Sequence, residues 1–341
     1  MIGMDRKPKP LRIIMVLSIL IILAVFPLAA PSKYILAVGI NFCVYAAMGS
    51  AWNIIGGYAE QISWCHAAFV AIGAYTSYLM YNLLGITPWI GILVAVAISL
   101  IAATVIGLVS FRLRGPFFSL STIAFGEIVR VFLLYRKDLT KGAYGLVVTY
   151  KKDSLLSITF STYEPYYYIL LVMLVIIVFV SWWVERSKMG YYLKAIRADE
   201  DAAQSLGIKT HMVKLKAFLI SAAFTTMVGA VFAFFINYID PASFAGLDLS
   251  VKIGTMAILG GLGTLSGPLI GAAILIPMSE IANILLGSSG SGMLLYGLLL
   301  ILIFIFRPGG VRSFFIKDGG AGSPGIKIKL PWVKEGEKFE K

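Results

Sequence analysis

Residues 165–236 read PYYYILLVMLVIIVFVSWWVERSKMGYYLKAIRADEDAAQSLGIKTHMVKLKAFLISAAFTTMVGAVFAFFI. Two apolar runs, near 165–184 and 217–236, enclose the one long charged stretch inside the chain, 186–216. Apolar runs of roughly 20 residues suit helices that cross a bilayer, and the charged segment between them has to lie outside it. Within that segment, Asp199 can cap a helix whose first turn carries Glu200 and Asp201, with their charges favourable to the helix dipole. Gly207 then stops it. About two turns remain, below the ~12–15 residues that an isolated helix needs in water. Ala202 and Ala203 give it a small-residue face that another backbone can approach closely. A short, capped helix exposed on a membrane protein predicts a docking element for a soluble partner.

The rest of the chain repeats the outer part of this pattern. Of 341 residues, 59% are hydrophobic and 13% charged, and the mean hydropathy is +0.88. That excludes a soluble protein of this length. There is neither a cleavable signal pattern nor the alternating ~10-residue segments of a barrel. The predicted fold is an all-α polytopic membrane protein of about ten spans, some discontinuous or re-entrant. The spans are drawn at 12–30, 34–55, 65–84, 88–110, 117–135, 165–184, 217–236, 249–263, 267–286 and 292–306. They form a transmembrane domain over 12–312 that includes the segment 186–216. Residues 1–11 form an N-terminal extension and 313–341 a flexible tail rich in Gly, Pro, Lys and Glu. Spans eight and nine are short and joined by the Gly-rich GGLGTLSGP at 260–268, which leaves open a full crossing or a re-entrant turn.

Ten crossings put both termini on one side, and the basic residues say which. The N-terminus holds four Lys and Arg, the 111–116 turn two, the 186–216 segment seven and the tail from Arg307 eight, together 21 of 29. This face is assigned to the cytoplasm. The loop 136–164 is the exception, with Arg136, Lys137, Lys141, Lys151 and Lys152 on the outer side beside Tyr residues suited to the membrane interface. The net charge of +12 therefore reports orientation in a bilayer, with no nucleic-acid partner implied. Cys43 and Cys65 are read as packing residues.

Polar groups interrupt the apolar pattern in a few places. In NIIGGYAEQISWCHAAFVAIGAY (53–75), Gly56, Gly57, Glu60, Gln61, Ser63 and His66 break the run. One reading is a discontinuous helix lining a pathway. The other, which topology favours, is a cytoplasmic turn followed by a helix packed through Ala67, Ala68, Gly73 and Ala74. Glu127 and Arg130 share one helical face three residues apart, which fits a structural ion pair near the outer boundary or a pathway pair. Gly261 and Gly263 in the 260–268 turn are also candidate pathway positions. Lys252 and Glu280 are isolated charges that face a cavity or, for Lys252, snorkel to the interface. His66 and His211 are far apart with no acid or Cys at ligand spacing, so neither a metal site nor a cofactor is expected. No G-x-x-x-x-G-K-[ST] run is present, so ATP chemistry by that device would need another subunit.

Five motifs, GYAEQISWCHAAFVAIGAY, RLRGPFFSLSTIAFGEIVR, KAIRADEDAAQSLGIKTHMVKLKAF, DPASFAGLDLSVKIGTMAILGGLGTLSGPLIGA and YGLLLILIFIFRPGGV, occur in an order and spacing that resemble the branched-chain amino-acid ABC importer permeases, M-type. The likeness covers roughly 40–312. It implies an assembly in the cytoplasmic membrane with both termini inside. The partners would be a paralogous H-type permease subunit, two cytoplasmic ATP-binding subunits and an extracytoplasmic solute-binding protein. It also implies that 199–207 is the coupling helix, because Glu200, Ala202, Ala203 and Gly207 match the family's E-x-A-A-x-x-x-G. The sequence departs from G-Y-A-G-Q-x-S-x-G-H, with Glu60 and Cys65 where glycines are usual. That departure bears on the solute, since the wider family handles branched-chain and other hydrophobic amino acids, short amides and urea. The rival readings are an ion-coupled secondary transporter of small polar solutes, resting on Glu60, Glu127 and Glu280, and an intramembrane enzyme, for which no converging Asp, His or Cys cluster is evident.

Overall fold

The computed structural model describes residues 10–148, 153–286 and 297. In chain order the helices are α1 Pro10–Ala29, α2 Lys33–Gly56, α3 His66–Leu84, α4 Pro88–Ser110, α5 Pro116–Tyr135, α6 Lys137–Thr140, α7 Glu164–Arg186, α8 Lys188–Ala198, α9 Glu200–Ser205, α10 Thr210–Ile236, α11 Pro241–Ala245, α12 Leu247–Gly261 and α13 Gly267–Leu286. Strands β1 Leu146–Val147 and β2 Tyr238–Ile239 form one antiparallel pair. The starts follow local chemistry. Ser32 accepts the Ile35 amide to open α2, and Pro88 and Pro116 sit at first-turn positions where no amide donor is needed.

Seven of the described helices, α2–α5, α7, α10 and α13, are long and apolar enough to cross a membrane. These match seven of the ten expected spans, and α1 occupies the first. The eighth, 249–263, is filled mostly by a shorter helix. Helix α12 has 15 residues, about 22 Å against a hydrocarbon core of ~30 Å, and α11 precedes it across a break at Gly246. The expected tenth span, 292–306, and the tail 313–341 lie outside the described residues.

Helix α2 is the axis of the bundle. From Cys43 to Gly56 it is buried on every face, against α7, α10, α12 and α13. Between α3 and α10 the backbones touch. A Cβ on Gly73 would lie 2.2 Å from the Thr226 carbonyl oxygen, and one on Gly229 would lie 2.7 Å from the Val70 Cα. In a bilayer such packing, rather than expulsion of water, holds helices together. The Thr226 hydroxyl adds an inter-helix bond to Ser99 of α4 at 2.7 Å.

Connections gather at two ends. One end holds the stretch 57–65, the α4–α5 turn, α8, α9 and the turn 262–266, and is rich in Lys and Arg. At the opposite end β1 meets β2, Tyr78 donates to the Val147 carbonyl, Trp89 donates to the Leu155 carbonyl, and Tyr34 donates to Glu280 at 3.0 Å. Among the described residues of the loop after α5, Ile158 and Thr159 are buried. Lys252 does not stand alone: its ammonium lies 4.1 Å from the ring centre of Tyr45.

Candidate functional site

The charged segment folds as two helices meeting at Asp199. Arg197 lies in the last turn of α8, and Asp199 leaves the helical conformation with φ −162°. Its carboxylate accepts the amides of Asp201 and Ala202, both at 2.9 Å, and so opens α9. Six residues later the helix closes. Gly207 takes φ 82°, its amide donates to the Gln204 carbonyl, and the Ile208 amide donates back to Ala203. These two crossed bonds need a left-handed residue at 207, which glycine supplies at no steric cost.

A helix of this length holds its place only if neighbours hold it. Lys214 of α10 is 1% exposed, and its ammonium meets the Glu200 carboxylate, itself 19% exposed, at 2.6 Å. Arg114 from the α4–α5 turn forms two bonds to Asp201 at 2.8 and 3.0 Å, which raises the guanidinium pKa. Gln204 bonds Thr210 at 2.9 Å. The two alanines divide: Ala203 is buried against the protein itself, and Ala202 faces out with Gln204, Ser205, Leu206 and Gly207. Leu206 is 82% exposed. The expected two-alanine outer face is therefore a one-alanine face, because one side of so short a helix must pack on α10.

A second cluster adjoins it. Glu60 has φ 56°, a left-handed conformation that costs a non-glycine residue about 1–2 kcal/mol. Its carboxylate pairs with Arg197 Nε at 3.3 Å, and Arg197 Nη1 also donates to the Gly57 carbonyl at 3.2 Å. The turn 262–266 closes the cluster from the other side. Asn53 accepts the Gly263 amide and donates to the Thr264 carbonyl, both at 3.0 Å. Gly263, at φ 72°, lies so close to Arg197 and to Gly57 that a Cβ there would sit 2.3 Å from the guanidinium. Gly57, Glu60 and Gly263 are thus brought together, with Gly261 at the end of α12 beside them. Arg197, which sequence reading left unassigned, is what joins them to α8 and α9. Only a 137-residue-distant pairing reveals it, and no local pattern signals that.

From Glu60 the chain continues along α5. The Ile62 carbonyl accepts from Ser119, and the Trp64 amide donates to Thr122. Gln61 is partly exposed. Ser63 is buried, with its carbonyl on the Trp52 indole at 2.7 Å. His66 is also fully buried, among Trp52, Phe69 and Phe218, with Nε2 on Ser221 at 2.8 Å. Ser63 and His66 therefore belong to the interior of the chain, apart from the exposed cluster. Ala67, Ala68, Gly73 and Ala74 are buried in α3, as the packing reading expected. The connection 57–65 is, however, mostly buried rather than a solvent turn. Burial of Tyr58 pushes its phenol well above the usual range, with Glu185 nearby adding to the rise.

Glu127 lies elsewhere, about 16 Å along α5 from Pro116 and about 12 Å from Tyr135 at the helical rise. This is mid-helix rather than the boundary. Arg130 gives it two bonds, through Nε at 2.9 Å and through Nη2. A cavity of about 220 Å³ opens at the basic end between α4 and α10, lined by Gly107, Leu108, Phe111, Arg112, His211, Met212 and Leu215, none of them a candidate pathway residue.

The family model described as branched-chain amino acid transport system / permease component matches residues 34–304. The high-affinity branched-chain amino acid transport system permease protein LivM of Escherichia coli is 29% identical over 291 residues, covering 79% of this chain and 67% of its own. LivH of the same organism is 25% identical, covering 78% and 90%. BraD of Pseudomonas aeruginosa, also a permease protein of such a system, is 24% identical over 78% and 91%. No solved structure matches the chain.

Proposed function

The chain belongs to the family of permease components of branched-chain amino acid transport systems, and from that premise we propose that it is one of two paired permease subunits of an ATP-driven importer. Its solute is a branched-chain or related amino acid, received from an extracytoplasmic binding protein. It lies in the cytoplasmic membrane with both termini inside. ATP is hydrolysed on two separate subunits that dock on α9. The observation that carries this reading is α9 itself. It is a six-residue helix capped at both ends, held by a buried ion pair, and displayed at the basic end with Ala202, Gln204, Ser205 and Leu206 outward.

The mechanism is alternating access. ATP on the partners biases two states only if the partners bind those states with different free energies. Arg197 supplies a physical route for that bias. It sits two residues before the cap of α9 and holds Glu60 and the Gly57 carbonyl. The same stretch grips α5 through Ile62 and Trp64, and Asn53 ties in the α12–α13 turn. Movement of α9 would therefore reach α2, α5 and α12 through hydrogen bonds rather than across solvent.

A secondary transporter needs a carboxylate free to bind the coupling ion at membrane depth. Glu60 is paired with Arg197 at the basic end, Glu280 accepts from Tyr34 at the other, and Glu127 is paired with Arg130. Those pairings favour the ATP-driven reading. The test is uptake of radiolabelled leucine into vesicles carrying the chain with its paired permease, ATP-binding and solute-binding proteins. Uptake is expected to require ATP and to survive a proton or sodium ionophore. Uptake abolished by the ionophore while ATP is present overturns the reading.

A further inference from the structure

Two helices on the outside of this chain differ in what they present. The exposed face of α4 is apolar throughout, with Leu93, Ile101, Val105 and Leu108, and suits lipid. The exposed face of α5 carries Leu120, Ile128 and Val131, but between them stand Glu127 and Arg130, 50% and 32% exposed. A charged pair at mid-span is a poor neighbour for acyl chains, and intramembrane charges face protein or a polar path.

We propose that Glu127 and Arg130 form a subsite for the zwitterionic end of the transported amino acid, with the Arg130 guanidinium taking its α-carboxylate and the Glu127 carboxylate its α-ammonium. The inference rests on the amino-acid importer reading and adds to it the residues that recognise the solute. Three observations carry it. First, an α-amino acid bears opposite charges on neighbouring atoms, and the pair offers the complementary charges side by side on one face of one helix. Guanidinium has five donors, of which the bonds to Glu127 use those on Nε and Nη2, so further donors remain for a second carboxylate. Second, Leu120, Ile128 and Val131 flank the pair with apolar surface suited to a branched side chain. Third, α5 is gripped on its other side by the stretch 57–65, so the subsite rides on the element that Arg197 connects to α9.

The pair exchanges partners rather than losing them: as the solute arrives, each side chain swaps part of its mutual bonding for the solute's opposite charge. Binding and release can then occur without leaving a bare charge at membrane depth.

The experiment uses vesicles containing the whole transporter and radiolabelled leucine. The charge swap Glu127→Arg with Arg130→Glu keeps a neutral pair but reverses its order. Uptake is expected to fall at least tenfold, while the paired permease still co-purifies. Arg130→Lys, which keeps the charge and loses the planar fork, is expected to raise the KM severalfold with the maximal rate less affected. Swap-variant uptake within twofold of wild type overturns the proposal, because self-neutralisation alone would then suffice. Loss of co-purification in both variants also overturns it, by making the pair an assembly contact. Wild-type vesicles that carry an uncharged amide and reject leucine would instead sink the amino-acid reading on which the proposal stands.

Discussion

Glu200→Ala strands an ammonium. Lys214 is 1% exposed, and its partner at 2.6 Å is the Glu200 carboxylate. Removing one member of a buried pair costs about 3–5 kcal/mol, and the partial exposure of Glu200 argues for the lower end. The other supports of α9 are smaller. The Asp199 cap contributes roughly 1 kcal/mol, and the solvent-exposed Arg114–Asp201 pair at most about as much. A loss of about 3 kcal/mol therefore exceeds what remains and shifts the ratio of seated to detached α9 by about a hundredfold. Hydrogen exchange of the 201, 202, 207 and 208 amides reads this directly, since each is bonded only when α9 is formed. Their exchange should quicken by about two orders of magnitude, with leucine uptake falling in parallel. Adding Lys214→Met, which replaces the stranded charge with an apolar side chain, should restore most of both. Exchange in the single variant within about threefold of wild type, or a double variant no better than the single, refutes the reasoning. Because Glu200 aims inward at Lys214, the charge reversal Glu200→Arg acts on the same contact. It would set two cations against each other and test the seating of α9 rather than its contact with a partner.

Gly207→Pro removes the amide that donates to Gln204 and forbids φ 82°, which costs about 3 kcal/mol or more at the end of α9. Uptake should be lost while the chain remains in the membrane with its paired subunit, as immunoblotting of purified complexes would check. Glu60→Gly relieves about 1–2 kcal/mol of left-handed strain against an exposed ion pair worth at most about 1 kcal/mol, so strain decides. The variant should unfold at the same temperature or higher, with uptake retained; a fall of more than about 3 °C shows that the pair outweighs the strain. Arg197→Ala removes the Gly57 contact as well as the Glu60 one. ATP turned over per leucine carried should rise at least severalfold, whereas Glu60→Gly keeps the Gly57 bond and should leave that ratio near wild type.

The helix positions were legible because membrane spans are written in composition and their ends in single residues. Pro88 and Pro116 open helices, and Asp199 and Gly207 bracket α9. What escaped was long-range pairing. Lys214 reads as one more cation of a basic segment until α10 folds it beneath Glu200. Lys252 reads as a lone charge until α12 sets it over Tyr45. Arg197 joins residues 137 positions away, and Glu60 gives no local hint of a positive φ, since the residue type argues against one. The break before α3 was visible in its Gly and polar residues, but not that it climbs beside α5. The division of Ala202 from Ala203 was hidden because a two-turn helix has too few residues for periodicity to declare a face.

Contact between α9 and an ATP-hydrolysing partner is measured most directly by a cross-link. Leu206, 82% exposed at the end of α9, tolerates a cysteine carrying a short photoreactive probe, and Tyr144 at the opposite end serves as the comparison site. In vesicles that still take up leucine, the probe at 206 is expected to join this chain to an ATP-binding subunit, and the probe at 144 is not. Active vesicles in which 206 captures no ATP-binding subunit, or in which 144 does, would contradict the account.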